Sequence, residues 1–78
     1  MNVIIINTQS GDWEAIYING DFIEEGHEID RMKLLELSRE YNFGMESIQL
    51  TELDDEDEDV VARHGNMEGV INISKYTK

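Results

Sequence analysis

Asn19-Gly20, set between Trp13-Glu14-Ala15-Ile16-Tyr17-Ile18 and Asp21-Phe22-Ile23-Glu24-Glu25, constrains this chain more than any other feature. Both residues tolerate positive φ, which the tight two-residue turn between antiparallel strands requires. A turn there places Ile18 opposite Asp21, Tyr17 opposite Phe22, Ile16 opposite Ile23 and Glu14 opposite Glu25. The Tyr17–Phe22 pair is favourable by about 0.2–1 kcal/mol, and the Glu14–Glu25 pair is repulsive. A three-residue loop with a glycine bulge is the alternative that relieves this repulsion. Gly26 ends the second strand.

A helix follows. Asp30 has the position of an N-cap, with Ile29 and Leu34 placed as a hydrophobic staple. Leu34, Leu37, Ser38 and Tyr41 share one face, flanked by Leu35, and Lys33, Glu36, Arg39 and Glu40 share the other. Asn42 or Gly44 supplies the left-handed stop. Before the hairpin, Val3-Ile4-Ile5-Ile6 is apolar without alternation, which fits a central strand covered on both faces. After the helix, residues 46–53 alternate, with Ile48 and Leu50 directed inward and Ser47, Gln49 and Thr51 solvated. Asp54 to His64 places acids first and bases last before Gly65, a dipole-matched short helix whose crowded carboxylates predict a mobile start. Val70 to Ser74 reads as a last strand, with Ile71 and Ile73 facing in. The expected fold is a single α+β domain over residues 1–78. It has a mostly antiparallel sheet of four to five strands with one main helix on a face, in the order βββαβ(α)β.

With 78 residues and no cysteine, the chain buries only about 60% of its unfolded surface and has no disulfide to assist it. No apolar run approaches the length of a membrane helix, and the first residues lack the basic start and cleavage site of a signal peptide. A chain that stays in the cytoplasm is the expectation. Eighteen acids against six bases give a net charge of −12. Residues 1–30 contain seven acids and no lysine or arginine, and residues 52–69 contain eight acids and Arg63. Such a field disfavours direct contact with nucleic acid or an anionic membrane and attracts basic partners.

Two acidic clusters are the candidate partner-binding residues: Glu24, Glu25 and Glu28, and the run Asp54, Asp55, Glu56, Asp57, Glu58 and Asp59. Asp55, Asp57 and Asp59 have the spacing of a calcium loop. Counted from Asp55, however, Val60 and Asn66 stand where that loop needs glycine and glutamate. His27 and His64 lack the spacing of zinc-binding pairs, and His27 reads as a titratable corner residue. No cofactor is expected. No catalytic cysteine, nucleophile elbow or phosphate loop occurs, and an enzyme is not expected.

The pattern W-x-x-I-Y-I-N-G-x-F-I-x-E-G-H with its following helix, Trp13 to about Tyr41, resembles a hairpin–helix of small bacteriophage and prophage proteins. The resemblance implies a host bacterial cytoplasm and, as for many acidic phage proteins, inhibition of a host protein by charge that mimics DNA. A non-enzymatic acidic module that binds a basic protein is therefore the first expectation. A self-associating homodimer and a calcium-ordered element are the alternatives.

Overall fold

The computed structural model describes residues 1–77. Strands β1 (Val3–Asn7), β2 (Glu14–Ile18) and β3 (Asp21–Gly26) lead into helix α1 (Arg31–Tyr41). A 3-10 turn (Met45–Ser47), strand β4 (Ile48–Glu52), helix α2 (Asp55–His64) and a second 3-10 turn (Ile73–Lys75) follow. The four strands form one mixed sheet in the order β3-β2-β1-β4, with β1 antiparallel to β2 and parallel to β4. The fold is α+β, as the sequence predicts. No described helix is long and apolar enough to cross a membrane.

β1 is central and covered on both faces. Ile4 and Ile6 enter a core with Ala15, Tyr17, Leu53, Val61 and Met67 on the α2 side. Val3 and Ile5 enter a second core with Ile16, Ile18, Ile29 and Leu37 on the α1 side. A strand alternates its side chains, so an unbroken apolar run requires two apolar layers. The second layer is α2, through Val61, and the segment after it, so α2 is a structural helix as well as an acidic one.

The hairpin turn is built as its residues demand, with φ of 53° at Asn19 and 85° at Gly20. Tyr17 pairs with Phe22, and their rings meet edge to face at 5.6 Å. Beyond that pair the expected register is corrected. A bulge at Ile23 places Ile16 opposite Glu24, Ala15 opposite Glu25 and Glu14 opposite Gly26. The extra residue removes the Glu14–Glu25 repulsion without lengthening the turn. The Glu14 carboxylate instead accepts the Ile29 N–H at 2.6 Å, which fixes the entry to α1. Asp30 caps α1 by accepting the Met32 N–H, and Asn42 ends it in the left-handed conformation.

Two further expectations are corrected. Val70–Ser74 is not a strand. Asn72 accepts from both the N–H and the hydroxyl of Ser74, a local turn that competes with a ladder. Val70, Ile71, Ile73 and Tyr76 cover the α2-side core as a lid. In β4, Ile48 packs in the α1-side core, but Leu50 is 74% exposed while Gln49 and Thr51 are half-buried. The lid explains part of this inversion: Gln49 donates to the Tyr76 carbonyl, so its face of β4 is covered by the C-terminal segment.

Candidate functional site

The sheet divides the first acidic cluster. Glu24 and Glu25 alternate on β3 and point to opposite faces. Glu24 lies on the α1 side, 3.6 Å from Lys33 Nζ. Glu25 lies on the α2 side, where its carboxylate accepts from Trp13 Nε1 at 2.9 Å, the Met67 N–H at 2.5 Å and the Glu68 N–H at 3.1 Å. Three donors on one carboxylate fasten the hairpin to the segment after α2. Glu28, in the connection to α1, is exposed and has no bonded partner among the described residues.

Within the second cluster the acids also separate by task. Asp54 is the N-cap of α2 and accepts the Asp57 N–H at 2.8 Å. The ammonium of Lys75, 2.5 Å away, together with that N–H holds the Asp54 carboxyl below the usual carboxylate range. The same contact raises the pKa of Lys75. Asp57 is buried, 9% exposed, and accepts from the Tyr76 hydroxyl at 2.5 Å and from Lys75 at 3.3 Å. Burial, reinforced by Asp57, pushes the Tyr76 phenol up to about 12. Asp55 accepts from the Gln9 side-chain amide and Glu58 from the Gln9 backbone N–H, both at 2.8 Å. The expected mobile start of α2 is thus bonded to the loop after β1 on one side and to the C-terminal segment on the other. The left-handed Gly65 closes the helix behind Arg63 and His64. The carboxylates of Glu56 and Asp59 are exposed and accept no bond among the described residues, although the Asp59 carbonyl accepts from Arg63 Nε at 3.4 Å.

A shallow depression of about 260 Å³ lies between the 8–13 turn and α2, lined by Thr8, Ser10, Asp12, Trp13, Glu58 and Val61 among others. Its hydroxyls are turned on Asp12: Ser10 donates to that carboxylate, and Thr8 lies 3.5 Å from it. The Ser10 bond is the main reason the Asp12 carboxyl lies below its ordinary range. His27 stands at the rim with its ring edge-on to Trp13 at 5.0 Å and its Nδ1 3.1 Å from the Asp12 carbonyl. Among the described residues no three carboxylates or histidines converge in a metal-binding arrangement. The Tyr17 hydroxyl is buried without a partner among the described residues, and burial followed by the charges of Glu25 and Glu68 pushes it up to about 12.

Of the nine acids singled out in the sequence, Glu25, Asp54 and Asp57 are therefore tied into the fold. Glu24, Asp55 and Glu58 each hold one exposed or partly exposed contact, and the carboxylates of Glu28, Glu56 and Asp59 have no bonded partner among the described residues. Gln9, Glu14, Lys75 and Tyr76 position this arrangement and carry no local signature. Their partners lie between 15 and 49 residues away in the chain, and only the folded sheet brings them together. Comparison of the chain with family models, curated proteins and solved structures finds no match.

Proposed function

We propose that this protein is a non-enzymatic binding module whose free carboxylates engage a basic site on another protein. The observation that carries this reading is the charge left over once the fold has taken its share. The carboxylates of Glu28, Glu56 and Asp59 are exposed and unbonded among the described residues, and of the eight acids in residues 42–59 only Asp54 and Asp57 are paired there with a base, Lys75. An uncompensated field of this kind steers basic partners and repels phosphate backbones. The resemblance of Trp13–Tyr41 to phage hairpin–helix segments adds a bacterial host protein as the source of that partner, and a nucleic-acid-binding groove is the basic surface that fits best. Compartment follows from the same reading: the host cytoplasm.

The test compares native protein with a Glu28→Gln/Glu56→Gln/Asp59→Asn variant as bait in a bacterial lysate, washed at low and then high salt. Native bait is expected to retain a basic protein that high salt releases, and the variant is expected to lose most of it. Equal retention by the two baits, or retention that salt does not weaken, would overturn the proposal.

A further inference from the structure

The sheet has two edges, and they are built differently. Along β3 the ladder is interrupted by the Ile23 bulge, and Asp21, Glu24 and Glu25 line it. Bulges and charges are how an exposed edge is blunted against pairing. β4 has no such interruption. Its five residues, Ile48-Gln49-Leu50-Thr51-Glu52, pair with β1 in unbroken parallel register. They include no proline, glycine or lysine.

Which backbone groups β4 spends on β1 follows from one bond beyond its end. The Leu53 N–H donates to the Asn7 carbonyl at 3.0 Å. In a parallel ladder alternate residues face the partner, so Gln49, Thr51 and Leu53 turn toward β1 while Ile48, Leu50 and Glu52 turn outward. The Ile48 N–H is taken by the Met45 carbonyl. The N–H and C=O groups of Leu50 and Glu52 have no partner among the described residues. Leu50 stands at the centre of this edge, 74% exposed, on the face where Ile48 is covered.

We propose that the β4 edge accepts an extended basic segment of a partner protein as a fifth strand, antiparallel to β4, with an apolar residue against Leu50 and lysine or arginine two positions to either side. This rests on the reading of the protein as a binder of basic partners and adds how the partner docks. Main-chain bonds supply affinity in such strand addition, and alternate side chains supply selectivity. Charge selects the occupant. Glu52 shares the Leu50 face, Glu46 lies just before β4, and no base occurs from residue 42 to 59. A second copy fits poorly. It would bring its own Glu46 and Glu52, and no base from residues 42 to 59, to the same edge. Parallel self-pairing would not close into a dimer.

The probe is the peptide acetyl-KTKTVTKTK-amide, titrated into the full-length protein and followed in nitrogen–proton correlation spectra. Its control is the same peptide N-methylated at the valine and the two flanking lysines, which keeps the charge and removes the edge donors. Saturable shifts centred on Leu50 and Glu52 are expected. N-methylation, or Leu50→Thr in the protein, is expected to weaken binding at least about tenfold, a loss of about 1.4 kcal/mol. Equal binding by both peptides, with shifts spread over Glu56 and Asp59, would overturn edge docking and leave the acidic-binder reading standing. Shifts at Leu50 that follow protein concentration without peptide would assign the edge to a second copy and overturn the basic occupant. Absence of any shift would overturn edge docking, whereas the acidic-binder reading falls only if the lysate experiment also fails.

Discussion

Replacing Glu25 by alanine is expected to lower the free energy of unfolding by about 3 kcal/mol, because hydrogen bonds to a charged acceptor are worth about 1.5–3 kcal/mol each and are not additive. The carboxylate collects three donors, Trp13 Nε1 and the N–H groups of Met67 and Glu68. Met67 is fully buried, so its N–H gains no water in compensation when the acceptor is removed. The Trp13 indole N–H loses its partner at the same time. Glu28→Ala removes the same charge from an exposed position and is expected to stay within about 0.5 kcal/mol of native. Chemical denaturation followed by the fluorescence of the single tryptophan compares the two variants directly. Similar midpoints would mean that Glu25 contributes charge and not bonding.

The second large effect concerns the layering. Ile5 and Ile6 are neighbours in β1, yet Ile5 packs in the α1-side core and Ile6 in the α2-side core. Each truncation to alanine is expected to cost about 2–5 kcal/mol. A domain of this size has roughly 4–12 kcal/mol in total, so either variant is severely weakened. The double variant loses a large side chain from both cores and is expected to be unfolded in water by circular dichroism. In a protein with a single core, one of the two residues would face solvent and its truncation would cost little. A small cost at Ile6 would contradict the cover that α2 and the lid give the sheet, and a small cost at Ile5 would contradict the cover given by α1.

The local features of this fold are legible in the chain. Asn19-Gly20 sets the turn, Asp30 and Asn42 bound α1, Gly65 ends α2, and the unbroken Val3–Ile6 run requires cover on both faces. What the chain conceals is long-range. The Ile23 bulge changes which residue opposes Glu14 only once the two strands are aligned. The parallel pairing of β1 with β4 joins strands about 45 residues apart, at a distance where no turn chemistry operates. Val70–Ser74 has the composition of a strand, but the Asn72 side chain satisfies the backbone locally. The candidate site shows the same division. Glu25 and Glu28 are the same residue type three positions apart, and nothing nearby distinguishes them. The distinction lies in Met67, 42 residues further on. Asp57 likewise belongs to an acidic run by composition and to a buried cluster with Lys75 and Tyr76 by geometry. Neutralising it would test the fold and not the binding surface.

The acids divide into those that hold the fold and those whose carboxylates no fold contact uses, the surface we propose for a partner. The most direct test is the equilibrium unfolding of the Glu28→Gln/Glu56→Gln/Asp59→Asn variant, the same protein whose capture of a basic partner is expected to fail. Its free energy of unfolding is predicted to stay within about 0.5 kcal/mol of native, as for exposed positions without contacts. A clear loss of stability would show that these three carboxylates also support the fold, and would remove the surface on which the proposed function stands.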